Sequence, residues 1–267
     1  MGDIRVATAI FNAPLGAIDR NLERIGDFCL EAVKQGANLI CFPEMAITGY
    51  STSKDIIPFA LTRDDHRLLN IKSISEAKDI TILVGMAEKD DSDRMYASHL
   101  VFVPGKPLGV YRKTHIAPPE RTIFSEGSDI PVFEAHGFRF GIQLCYDSHF
   151  PFLSTRMAEK GADILFIPHA SPRSTPEEKF HSWMRHIPAR AYDNGLYIVA
   201  SNQTGDNGAG LSFPGLAFVT DPSGHVLAKD ITGNEGLLFT DLSQSALDHV
   251  RNHRMRYFLP NMRKDIG

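Results

Sequence analysis

The feature that most constrains this chain is a repeat. "GANLICFPE" at residues 36–44 and "GADILFIPH" at residues 161–169 align position by position: glycine, alanine, a polar residue, four apolar residues, proline and a polar end. Each copy follows a helical pattern. In the first, apolar residues recur at Leu22, Ile25, Cys29, Ala32 and Val33 between Asp19 and Gln35; in the second the pattern covers about Phe152 to Lys160. Gly36 and Gly161 then stand where helices commonly stop. A helix-then-strand unit used twice predicts two related halves. The four-residue apolar runs predict strands buried on both faces, as in parallel sheets covered by helices.

Further strands are expected at "IRVATAIF" (4–11), "ITILVGMAE" (80–88), "SHLVFV" (98–103), "GVYRKTH" (109–115), "FRFGIQLC" (138–145), "LYIVASNQ" (196–203) and "GLLFTDL" (236–242). "PGKP" at 104–107 and the turn around Pro222, Ser223 and Gly224 predict hairpins. A second helix of the latter half is predicted over about 176–193, and a short helix and tail after residue 242. No low-complexity linker interrupts the chain, so residues 1–267 are expected to form one α/β domain.

Composition excludes several classes. A hydrophobic content of 43% with 22% charged residues supplies a core, unlike a disordered chain. The net charge of -4, with no long basic stripe, predicts no nucleic-acid or anionic-membrane partner. The densest basic patch, "RNHRMR" at 251–256, reads as a solvated helix face or an oligomer contact. No apolar run approaches the roughly 18 residues of a membrane span. "MGDIRVATAIF" carries an acid and enters a strand pattern directly, unlike a secretory signal, so a cytoplasmic address is expected. Three cysteines make no disulfide framework, and Cys29 and Cys41 fall on core positions. His249 and His253 have the spacing of helical metal ligands but no third ligand nearby, so no metal is expected.

Three apolar segments lead into reactive side chains: "LICFPE" into Glu44, "GVYRK" into Lys113 and "GIQLC" into Cys145. Brought together, they make coherent chemistry. A thiol with an ordinary pKa of about 8.5 needs a base or a cation beside it to attack at neutral pH. Glu44 can take that proton and return it to a leaving nitrogen. Lys113 and the backbone N–H of Tyr146 can hold the oxyanion of a tetrahedral intermediate.

With these residues, the chain resembles the nitrilase superfamily of carbon–nitrogen hydrolases, on its amidase and carbamoylase side. The likeness is carried by "FPEMAITGY", "YRKTHIAPPE" and "GIQLCYDSHFP", and extends through "GADILFIPHAS", "ARAYDNGLYIVASNQTG" and "SFPGLAFVTDPSGHVLA". It implies a four-layer α-β-β-α sandwich with two pseudo-symmetric halves, assembled as a homodimer or larger homo-oligomer. It also implies a Glu44-Lys113-Cys145 triad working without metal or organic cofactor. Glu120 in "APPERTIF" matches a second glutamate that places lysine and substrate, and Tyr50 is a candidate pocket residue. Where many amidase-like relatives carry Arg-Phe-Pro-Glu after the cysteine, this chain has His149, Phe150, Pro151 and Phe152, so that charge pair is gone. His149 is read either as facing substrate or as a structural histidine, and Arg173 as a candidate for an anionic substrate end. His115 is read as orienting the lysine strand.

The implied reaction is hydrolysis of a linear, non-peptide C–N bond through a cysteine thioester, in a small aliphatic amide or ω-amide. An N-carbamoyl amine or amino acid is the alternative. Tyr146-Asp147 stands where true nitrilases commonly have Trp-Glu, which disfavours a nitrile substrate. A non-catalytic binding protein fits less well because every triad position is filled, and no Cys-His motif supports a papain-like protease.

Overall fold

The computed structural model describes residues 2–263 and Asp265. The chain enters on β1 (Ile4–Ile10), β2 (Leu39–Cys41), β3 (Thr81–Lys89), β4 (Met95–Phe102) and β5 (Gly109–Arg112). It continues through β6 (Phe133–Ala135), β7 (Phe138–Ile142), β8 (Ile164–His169) and β9 (Tyr197–Asn202). A small ribbon, β10 (Thr204–Asp206) with β11 (Ser212–Pro214), precedes β12 (Ala217–Thr220), β13 (Val226–Asp230) and β14 (Gly236–Leu242). Two six-stranded sheets result, ordered β14-β1-β2-β3-β4-β5 and β13-β12-β9-β8-β7-β6.

The two sheets have one topology. In the first, β1, β2 and β3 run parallel, β4 and β5 follow antiparallel, and β14 lies antiparallel beside β1. In the second, β7, β8 and β9 run parallel, β12 and β13 follow antiparallel, and β6 lies antiparallel beside β7. The duplication reaches single hydrogen bonds, which explains the polar third residue of the repeat. Asn38 Oδ1 accepts from the N–H of Arg5 at 2.9 Å, and Asp163 Oδ2 accepts from the N–H of Arg139 at 2.9 Å. Each thereby locks its strand beside the first strand of its half.

Helices cover both outer faces. α1 (Ile18–Lys34) and α2 (Leu69–Lys78) lie over the first sheet, with Leu22, Ile25, Cys29 and Ile71 packed on Ala7, Ala9, Ile40, Phe42 and Val84. α3 (Pro151–Glu159), α4 (Pro176–Trp183) and α5 (Ile187–Asn194) belong to the second half, and α6 (Gln244–Arg251) closes the chain. A second cluster, including Val6, Leu39, Cys41 and Leu83 with Phe166 and Val199, continues between the sheets to α3 and α5. This is the expected α-β-β-α sandwich, and Cys29 and Cys41 are core residues as read.

Several boundaries differ from the sequence reading. The helix expected over 176–193 is two helices, broken between Trp183 and Ile187. Pro188 stands at the start of α5, where its missing N–H costs nothing, whereas inside a continuous helix it would clash with the preceding turn. β7 ends at Ile142, so Cys145 lies beyond the strand, in a one-turn 3₁₀ helix over Cys145–His149. Arg251 is no solvated charge: it donates to Asp163 and to the carbonyls of Ala162 and Gly195, fastening α6 to the second sheet. Among the described residues no helix is long and apolar enough to cross a membrane.

Candidate active site

Glu44 leaves β2 on a turn that needs unusual backbone geometry. Met45 is left-handed at φ 56°, and the neighbouring strand passes so close that a Cβ on Gly85 would lie 2.5 Å from the Met45 nitrogen. Only glycine fits there. Ile47 donates its N–H to the Gly85 carbonyl at 2.9 Å, and Gln203 Nε2 donates to the Glu44 carbonyl at 2.7 Å. The turn that carries Glu44 is thus held by its main chain from both sheets.

Lys113 follows β5, its N–H on the Ala97 carbonyl at 2.9 Å. The preceding Arg112 is anchored on the buried Glu88 (Nε to Oε2, 3.0 Å) and stacked 3.8 Å over Tyr96. The Lys113 ammonium is wholly buried, 2.9 Å from Glu44 Oε1 and 2.9 Å from Glu120 Oε2. Tyr50 completes the set, its hydroxyl donating to Glu120 Oε1 at 2.6 Å. Glu120 also accepts from the N–H of Ala117 at 3.2 Å, and Glu44 Oε2 from the N–H of Ala170 at 3.0 Å. Two carboxylates crowd one ammonium at a buried place. Burial therefore lifts the Glu44 pKa to about 7; Lys113 opposes the rise and Glu120 adds to it. Burial pulls Lys113 down, but the two carboxylates outweigh it and hold the ammonium charged.

Cys145 is left-handed at φ 45°, a strained conformation for a residue with a Cβ, and such strain gathers at functional turns. The Ser148 hydroxyl donates to its carbonyl at 2.8 Å and clasps the turn. Burial pushes the thiol pKa up and Glu44 pushes it further, while Lys113 and the N–H of Ala170 pull it down. A standing thiolate is disfavoured, so this sulfur could act as a nucleophile only with a base to take its proton. Tyr146 is the second residue of the 3₁₀ turn, where N–H groups lack helical partners, and its ring packs against His149 and Phe150.

Asp147 was not singled out from the sequence as a site residue, yet it joins the lysine strand to the cysteine turn. Its carboxylate accepts from the Tyr111 hydroxyl at 2.7 Å, the Thr114 hydroxyl at 2.9 Å, the His115 N–H at 2.9 Å and the Leu144 N–H at 3.0 Å. Residues 111–115 and 144 belong to different sheets' ends, and one buried acid sets their spacing. Asp147→Asn places an amide donor where one carboxylate oxygen accepts. The expected result is a kcat loss on the order of 10²-fold from misplacement, with KM little changed, read by steady-state kinetics. An unchanged kcat would count against the bracing role.

The structure brings Glu44, Lys113, Glu120 and Tyr50 into one buried hydrogen-bonded cluster, with the half-buried Cys145 within its electrostatic reach. His149 sits apart: the residue is exposed overall, but one face of its ring is covered by His186 with centroids 4.4 Å apart, and this partial burial, then Arg190, lowers its pKa. Arg173 is exposed on a left-handed turn after β8, and among the described residues its side chain makes no hydrogen bond or ion pair. His115 bonds Asp147 and stacks 3.9 Å from Phe150, consistent with orienting the lysine strand. His169, at the repeat position of Glu44, is buried on Trp183 with Nδ1 2.8 Å from the Ile167 carbonyl. His249 Nε2 lies 2.8 Å from the Arg256 guanidinium, and the described residues contain no cluster of three groups able to hold a metal.

A sandwich of two like sheets, with a cysteine, a lysine and two glutamates gathered at their ends, defines a class of hydrolase acting on carbon–nitrogen bonds. Residues 5–252 match the carbon-nitrogen hydrolase family, and the chain belongs to it, within the amidase-like branch of the nitrilase superfamily. A nitrilase from Pyrococcus abyssi is 30% identical over 256 residues, covering 94% of this chain and 93% of that one. An omega-amidase from Mus musculus is 28% identical over 246 residues, covering 86% of each. Among solved structures, a cysteine-to-alanine mutant of the amidase from Nesterenkonia sp. AN1, in complex with butyramide, superposes with a TM-score of 0.81 at 25% identity, covering 95% of each chain. The protein is therefore an amidase-type carbon–nitrogen hydrolase.

Proposed function

We propose that the protein hydrolyses a small linear amide through a thioester on Cys145, with Glu44 as base and acid and Lys113 as oxyanion donor. The observation that carries this reading is the single buried hydrogen-bonded set of Glu44, Lys113 and Glu120 acting electrostatically on Cys145. Glu44 takes the thiol proton as sulfur bonds to the carbonyl carbon. The C=O electron pair moves to oxygen, where Lys113 and the N–H of Tyr146 stabilise it. Collapse breaks the C–N bond, and Glu44 gives its proton to the departing nitrogen, releasing ammonia. Water then loses a proton to Glu44 and attacks the thioester. The acid leaves, and sulfur takes back its proton. Glu120 and Tyr50 keep the ammonium aimed, and no step calls for a metal or organic cofactor.

The omega-amidase relative and the butyramide complex support an amide substrate. With butyramide, ammonia and butyrate are expected in equal amounts, and added hydroxylamine should divert the acyl group to the hydroxamate. Absence of hydroxamate in an active enzyme would sink the thioester. Carbon dioxide released with ammonia would move the substrate to a carbamoyl compound.

The pH dependence follows from Glu44. As a base it must be ionised, and its pKa is raised to about 7, so kcat/KM should fall about tenfold per unit as pH drops below that value. A profile flat down to pH 5 would remove Glu44 from the base role. Phe152, Tyr192, Met255 and Phe258 are exposed on the second half's outer side, which supports a homodimer or larger homo-oligomer. One site built from both halves supports a single domain over 1–267, and we retain a cytoplasmic location as part of this reading.

A further inference from the structure

Lys179, on α4, carries a half-buried ammonium that the mechanism does not use. Its Nζ donates to the Ser171 hydroxyl at 2.9 Å and to the Pro172 carbonyl at 3.1 Å. Those residues directly follow Ala170, whose N–H holds Glu44, so the ammonium stands beside the catalytic cluster. Asn202 clamps this platform, accepting from the Ser171 N–H at 2.8 Å and donating to its carbonyl at 3.0 Å.

The lysine lacks a counter-charge. Among the described residues no carboxylate lies within ion-pair distance of Nζ, and the acids of its own helix are engaged elsewhere. Glu178 accepts from Ser174 and Thr175 at the start of α4, and Glu177 faces His181 at 2.8 Å. Burial lowers the Lys179 pKa, and the group that opposes this, in its ionised form, is Cys145, which places the ammonium within electrostatic reach of that sulfur. An ammonium has three donors, and the protein takes two. Ser171 Oγ accepts from Lys179 and keeps its own proton to donate. The result is a rigid pair of donors, one cationic, near the nucleophile. Such a pair fits a carboxylate. Lys113 cannot serve, because two of its donors hold Glu44 and Glu120 and the mechanism above commits the third to the oxyanion.

We infer that Lys179 and the Ser171 hydroxyl receive a carboxylate carried by the substrate, which makes the preferred substrate the monoamide of a short dicarboxylic acid. This rests on the amidase reading above and assigns the anionic end to Lys179, where the sequence had suggested Arg173.

The test compares kcat/KM for succinamate and glutaramate with that for butyramide in the wild type, Lys179→Met and Lys179→Arg. The acid-bearing amides should be preferred by the wild type. That preference should fall at least about tenfold in Lys179→Met, mainly through KM, and return in part in Lys179→Arg. A loss equal for charged and neutral amides, or a wild type indifferent to the carboxylate, overturns the inference while leaving the amidase reading intact. If the wild type hydrolyses none of the three, the amidase reading fails. Calorimetry of succinate and glutarate binding to Cys145→Ala, with and without Lys179→Met, then decides separately: binding that needs Lys179 supports the site, and no binding overturns it.

Discussion

Cys145→Ala is expected to lower kcat by about 10⁵-fold or more while leaving the fold in place. The size follows from the covalent route: without sulfur there is no thioester, and the remaining groups can only orient an amide that water attacks slowly. Stability should change by no more than about 1 kcal/mol. The replaced thiol is partly buried, but the turn is held by Ser148 on the residue 145 carbonyl and by Asp147 on the Leu144 N–H, neither of which involves the side chain of residue 145. A sensitive ammonia assay and a thermal melt check both halves of the statement. Activity near wild type in the variant would refute the nucleophile outright.

Lys113→Met should have the largest effect on stability. The ammonium is the common partner of two carboxylates that are each about 1% exposed. Removing it leaves like charges facing each other without water, a loss of about 3–5 kcal/mol, or roughly 10 °C in the melting temperature for a chain of this size. The pH dependence has a definite sign. Glu44 already has a folded-state pKa raised to about 7, above its ordinary 4.5, and loss of the neighbouring cation raises it further. An acid whose folded pKa is raised binds protons better when folded. The variant is therefore least stable above pH 7 and recovers as pH falls toward 5 and the carboxyl takes its proton. Melting curves at pH 8 and pH 5 read this out, and an equal deficit at both would argue against buried carboxylate repulsion. Turnover should fall as well, since the oxyanion loses its charged donor.

The sequence made the duplicated halves legible because they are local: a helix, its glycine stop, a polar clamp and a buried strand lie within consecutive residues. It also made Glu44, Lys113 and Cys145 legible as a candidate set, because each reactive side chain follows an apolar run, and the structure pairs the first two beside the third. Groups that act through the main chain or across sheets were not legible. The N–H that holds Glu44 comes from Ala170, whose side chain carries no signal. Asp147 follows the cysteine by two residues, but its bracing of Tyr111 and Thr114 exists only once β5 lies beside the turn. "GLLFTDL" announces a strand, yet nothing local says that it returns to pair with β1. The helix break before Pro188 was legible in principle, since proline marks a first turn better than an interior. The apolar spacing simply ran on across it. Nothing in "PEEKFHSW" sets Lys179 apart from the charges around it, and only the fold shows that its neighbours' acids are turned away.

The identical wiring of the two sheets has one more consequence. Glu44 and Lys113 hang from the first sheet, while Cys145 and the Ala170 N–H belong to the second, and Gln203 and Asp147 are the struts between them. Neither half owns a reaction. In the proposed mechanism turnover is therefore a gauge of how well the two layers stay aligned: a small slip of one against the other would spoil proton transfer while every strand and helix is still intact.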